Sequence, residues 1–176
     1  IDAKLGTPGA IDNATGVAVL LLLAERLRDY AGPFALEIAA FNGEDYYAVP
    51  GQMAYLRQNH GRFDTIALNI NIDGAGCKDG PSSFSLFDLP EPMQAAARRM
   101  LETFDDTAEG IPWPQGDHSI FLQQGCPAIA VSSKWFIDHM DTQDITHTPK
   151  DNLGIVDPKK VVVIAEALEW FLRRLS

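Results

Sequence analysis

Within the 176 residues, a few short stretches carry side chains able to hold cations or move protons. They are Gly9–Gly16 (GAIDNATG), Asn42–Asp45 (NGED), Asn71–Gly74 (NIDG) and Thr146–Asn152 (THTPKDN). Singly, each has an ordinary reading. Asp12 suits a helix cap, Glu44–Asp45 a solvated turn, Asp73–Gly74 a turn pair and His147 a surface histidine. Together they say more, because Asp12, Glu44, Asp45 and Asp73 all fall where an apolar strand or helix ends or begins. If those strands are neighbours in one sheet, their ends converge on one edge, where unpaired carboxylates repel one another. One divalent cation, or two, removes that repulsion. A set of carboxylates with one imidazole suits zinc, with manganese or cobalt as substitutes. Calcium, which takes oxygen ligands, is disfavoured by His147.

The surrounding pattern says what must position these groups. Val17–Arg28 reads as a helix packed between layers, with Asp12, Asn13 or Thr15 available to cap it. Pro33–Phe41 (PFALEIAAF) is an apolar run expected to form a central strand. Pro50 suits a first helical turn, and Gly51–Asn59 continues it. Thr65–Asp73 and Pro127–Ser132 read as buried strands, and Ser82–Leu89 as a weaker strand near an edge. Glu91–Phe104 is helical, Asp117–Gln124 a short helix capped by Asp117, and Pro158–Leu175 a closing amphipathic helix. Alternation of this kind predicts a three-layer α/β/α domain with a mixed, mostly parallel central sheet. In such sheets, sites gather at strand ends.

Composition narrows the classes of partner. Lys plus Arg is 14 and Asp plus Glu is 24, giving a net charge of −10, the wrong sign for a general nucleic-acid binder. No run of about 18 apolar residues predicts a membrane span. Cys77 and Cys126 are too few for a disulfide framework and read as buried thiols. Nothing divides the chain, so residues 1–176 are expected to form one domain.

The stretches GAIDNATGVAVLLLLAE, FNGEDYYAVPG, NINIDGAG, GDHSIF followed by GCPAIAV, and THTPKDN occur in an order that resembles the co-catalytic zinc aminopeptidases of metallopeptidase family twenty-eight. The resemblance covers nearly the whole chain. It implies that Asp12 bridges two zinc ions, that Asp45 and His147 ligate one of them, that Asp73 ligates the other, and that Glu44 is the general base. It further implies that Asp151 supports the metal ligands, and that Asp117 and His118 lie near the substrate pocket, with Gly116 where the family has Ser. The loop from Ser133 to Asp144, with Trp135, Phe136 and Met140, is expected to help select the substrate side chain.

Two departures stand out. The family places a His-x-Asp motif before the bridging aspartate. Asp2 matches its Asp and joins Glu44 among the expected catalytic residues, but the His would fall one residue before Ile1. The sequence is therefore expected to be a domain lacking its N-terminal portion, with one strong metal position and one weak or empty one. The family's Glu-Glu pair is Glu44–Asp45 here, one methylene shorter at the ligand.

The chemistry implied is hydrolysis of an N-terminal peptide bond. Two cations about 3.5–4 Å apart activate a water, and Glu44 shuttles its proton to the leaving amine. The substrate would be a peptide. Alternatives are a carboxypeptidase or a single-zinc glutaminyl cyclase on the same scaffold, or a non-catalytic binding domain that has lost a metal. A homo-oligomer is compatible with the sequence if Ser82–Leu89 is an exposed edge. Compartment stays open, the resemblance alone favouring a secreted or periplasmic protein.

Overall fold

A computed structural model describes residues 3–46 and 48–175; Asp2 lies outside them. The sheet is built from β1 (Asn69–Ile72), β2 (Ser82–Phe87), β3 (Thr107–Gly110) and β4 (Ala128–Ser133), in the order β1-β4-β2-β3. β1 runs parallel to β4 and β2 parallel to β3, while β2 and β4 are antiparallel. The helices are α1 (Thr15–Arg26), α2 (Pro50–Gln58), α3 (Glu91–Thr103), α4 (His118–Leu122), α5 (Lys134–Asp138) and α6 (Pro158–Leu172).

Alternation along β4 sets the layers. Ile129 and Val131 point to one face, where they join Val19 and Leu23 of α1, Met100 of α3, and Ile164, Leu168 and Phe171 of α6. Ala130 points the other way and packs with Trp113 and with Ile137 of α5. A mixed sheet between helical layers is the expected architecture. Every residue of β4 is buried, which is what its unbroken apolar run requires. α6 opens with Pro158 at a position where no N–H is needed, and Asp157 caps it by accepting from Lys159 N at 2.9 Å. Arg26 of α1 donates to Glu169 of α6 at 2.7 Å, tying the two helices at the rim.

Several expectations need correction. Pro33–Phe41 belongs to no strand, and Leu36 and Ile38 are exposed. A cleft lined by Ala39, Ala40, Phe41, Ile70, Asn71 and Ile72 separates it from β1, so no ladder forms between them. An apolar run becomes a strand only where a partner satisfies its backbone. Ser82–Phe87 is not an edge. It lies between β4 and β3, and its serines are buried, Ser85 donating to Ile111 O at 2.6 Å. The route to oligomers through that edge is therefore closed. β1 is shorter than Thr65–Asp73, because Phe63–Thr65 forms a tight helical turn. β3 and α5 fall in segments read as connections. Cys77 and Cys126 are buried free thiols. Among the described residues no helix is long and apolar enough to cross a membrane.

Candidate metal centre

The C-terminal end of β1 and the start of α1 meet at the top of the sheet. Asp73 follows β1 directly and extends its ladder, its N–H donating to Val131 O at 2.9 Å. Beside it, the irregular turn Ala10–Ala14 leads into α1. Asn13 locks that turn to the strand: its Nδ2 donates to Ile72 O at 2.7 Å, while its Oδ1 accepts from Gly16 N at 3.0 Å. Of the three capping residues considered, Asn13 is therefore the one that serves the first turn of α1. The consequence is that Asp12 and Asp73, far apart in sequence, are held side by side.

Asp151 fixes Asp12 from the other direction. It is 1% exposed, and its two carboxylate oxygens accept from Ile11 N at 2.6 Å and Asp12 N at 3.1 Å. A carboxylate that accepts main-chain N–H groups is a strong, oriented anchor. The same loop presents His147, at a positive φ of 63°. Gln143 shapes that approach by accepting from Ile145 N at 2.8 Å and Thr146 N at 3.0 Å. Its role went unread in the sequence, where only the Gln-x-x-Thr spacing hinted at it.

These anchors bring Asp12, Asp45 and His147 together. His147 Nε2 lies 3.0 Å from Asp12 Oδ2 and 2.7 Å from Asp45 Oδ1. One ligand atom from each falls within 4.8 Å of the others. Asp45 Oδ2 is buried and has no hydrogen-bond partner. An orphaned buried carboxylate oxygen beside a converging carboxylate and imidazole fits a divalent cation, which supplies the missing partner. Asp12, Asp45 and His147 thus form a group that could hold a metal ion.

Asp73 stands at the other side of this cluster. Its carboxyl is pushed well above the usual carboxylate range, first by burial and then by the charges of Asp12, Glu44, Asp117 and Asp45. Glu44 is thus part of the same electrostatic cluster, in the turn after Gly43. Asp117 is there as well, but not as a cap for α4: its carboxylate accepts from Gln52 of α2 at 2.9 Å. His118 is 0% exposed and sits between the rings of Trp113 and Phe87, with Nε2 3.0 Å from Trp113 O and Nδ1 3.4 Å from Asn71 Nδ2. Burial pulls its pKa below the ordinary histidine value. Trp135 and Phe136 of the Ser133–Asp144 stretch pack edge to face on each other, and Met140 is exposed at its rim.

Residues 1–171 match the family described as Peptidase family M28. The chain belongs to Peptidase family M28. No curated protein matches it. Among solved structures, it is similar to a zinc aminopeptidase from Bacillus subtilis at 18% identity and a TM-score of 0.74, covering 97% of this chain and 43% of that one. It is similar to an aminopeptidase from Aneurinibacillus sp. strain AM-1 at 20% identity and a TM-score of 0.73, covering 97% of this chain and 40% of that one. A glutaminyl cyclase from Porphyromonas gingivalis shares 22% identity at a TM-score of 0.70, covering 94% of this M28 chain and 63% of the cyclase. At these identities the likeness is one of fold. The M28 chain spans less than half the length of the two aminopeptidases.

Proposed function

We propose that this M28 chain carries the catalytic centre of a zinc-dependent aminopeptidase that removes N-terminal residues from peptides. The observation that supports it best is the meeting of Asp12, Asp45 and His147 around an Asp45 oxygen that is buried and otherwise unpartnered. In this reading Asp12, Asp45 and His147 hold a zinc ion, and Asp12 and Asp73 contribute to a second, weaker position. When bound, zinc supplies Lewis acidity, polarising a peptide carbonyl and acidifying water.

The chain's own groups do the rest. Glu44 takes a proton from the attacking water and delivers it to the leaving amine. Asp151 keeps Asp12 on station through its two accepted N–H bonds. The free amino terminus of the substrate is attracted to the carboxylates of Asp73 and Asp117, which favours cleavage of single N-terminal residues.

The test is Glu44→Gln, assayed on an aminoacyl-nitroanilide with zinc content measured in parallel. Turnover should fall by about 100- to 10,000-fold with zinc per chain unchanged. Equal turnover in the variant would remove Glu44 from the chemistry. No zinc in the wild-type protein, even after zinc is added back, would end the metalloenzyme reading.

A second reading is a glutaminyl cyclase. It is favoured by the single three-ligand group found among the described residues, since cyclisation of an N-terminal glutamine needs one metal only. Release of ammonia from N-terminal glutamine peptides, without cleavage of the nitroanilide, would select it.

A further inference from the structure

Asp45 reaches its partners through a single methylene, so the position of its carboxylate follows the position of its backbone. That backbone lies in a turn. Ala48 and Val49 both adopt positive φ, at 78° and 34°, a region that side chains with a Cβ, and β-branched ones above all, disfavour. Within the turn Tyr46 N donates to Gly43 O at 3.2 Å and Val49 N to Tyr46 O at 3.0 Å. A segment outside the turn also braces it.

The segment that does so lies 41 residues earlier. Lys4 Nζ donates to Asp45 O at 2.5 Å and stands 5.4 Å from the centre of the Tyr46 ring. Leu5 N donates to Tyr46 Oη at 2.7 Å. The clamp is itself braced, because Thr7 donates to Lys4 O through both N, at 3.0 Å, and Oγ1, at 2.6 Å. Lys4 is partly buried, and a charged donor on a main-chain carbonyl away from bulk water is among the stronger hydrogen bonds available.

We infer that Lys4 is a positioning residue: its bond to the Asp45 carbonyl holds the Glu44–Asp45 backbone where the short Asp45 side chain meets Asp12 and His147. The inference rests on the metal-binding reading above for its purpose, but the clamp can be tested without metal. Lys4 acts through Asp45. Small displacements matter here, because a ligand about 1 Å out of place is enough to spoil a site.

The experiment compares Lys4→Met and Lys4→Arg, each alone and with Asp45→Glu. In metal-free protein, amide exchange of residues 43–46 should rise at least tenfold in Lys4→Met and stay near wild type in Lys4→Arg. Unchanged exchange in Lys4→Met would overturn the clamp whatever the protein does with zinc. Zinc affinity, measured by competition with a chromophoric chelator, should fall by about 10- to 100-fold in Lys4→Met, the range for residues that orient ligands. Lys4→Arg should recover most of it. With Asp45→Glu, whose longer side chain can adjust its own reach, removing Lys4 should weaken zinc only a few-fold. An equal loss in both backgrounds would overturn the proposal, since Lys4 would then act on something other than the reach of Asp45. If Lys4→Met is too unstable to purify, Lys4→Leu, which likewise has no donor, is read in the same way. Wild-type protein that binds no zinc would refute the metal-binding reading, while the exchange data still decide whether Lys4 holds the turn.

Discussion

Two groups of carboxylates share the top of the sheet and are balanced differently. Asp12 and Asp45 flank the imidazole of His147, and donors from Ile11, Asp12 and Lys4 fix the backbone around them. The carboxyl of Asp73 is pushed up first by burial and then by the charges of Asp12, Glu44, Asp117 and Asp45, all carboxylates. One side sets two carboxylates against an imidazole; the other is a concentration of negative charge. The contrast teaches that burying an acid makes a site only when a counter-donor is built beside it. It also orders the expected metal affinities, strong at His147 and weak at Asp73.

The sharpest way to break this comparison is to remove the imidazole. His147→Ala should weaken zinc binding by more than about 100-fold, beyond the usual effect of supporting residues, whereas Asp73→Asn should change the tight site by less than about threefold. Equal losses in the two variants, read by chelator competition, would mean that the two sides form one site. Next in size is Asp151→Asn. Removing the charge and one of two acceptors leaves Ile11 N or Asp12 N poorly paired, so stability should drop by about 1–3 kcal/mol and zinc affinity by about 10-fold or more.

The smallest effect sharpens the other side. A carboxyl whose pKa is raised on folding destabilises the folded state once pH exceeds its unfolded value, and the penalty grows until pH passes the folded value. Asp73→Asn should therefore raise the melting temperature of metal-free protein at pH 7. At pH 3, where the carboxyl is protonated in both states, the gain should vanish. A variant that melts lower than wild type at neutral pH would show that Asp73 has a compensating partner.

Much of this cluster was legible in the sequence because its residues sit at punctuation marks. Asp12 precedes a helix, Glu44–Asp45 follows a Gly, Asp73 precedes Gly74, and His147 lies between threonines. Apolar β4 and amphipathic α6 were equally readable, since burial and periodicity coincide there. What could not be read depended on partners distant in the chain. Pro33–Phe41 has the composition of a central strand, yet a strand is defined by its neighbours, and among the described residues it pairs with none. Ser82–Phe87 looked peripheral because of its serines, which are buried inside the sheet, Ser85 donating to Ile111 O. The Thr-Ala-Glu-Gly strand β3 has no apolar signature and exists through pairing with β2. Asp117 read as a cap because nothing local announces Gln52, and Lys4 drew no notice because its contact spans 41 residues.

The unpaired run from Phe34 to Phe41 has a consequence for handling the protein. Leu36 and Ile38 are 40% and 49% exposed, in an apolar run interrupted by one charge, Glu37. Such a segment is sticky between molecules. The net charge of −10 works against this by keeping copies apart. That repulsion reaches only about 10 Å at 0.1 M salt and about 3 Å at 1 M. Colloidal stability should therefore fall, not rise, as salt is added, and fall again as pH approaches the isoelectric point near 4.7. Low-salt buffers well above that pH are the conditions in which the isolated chain stays dispersed.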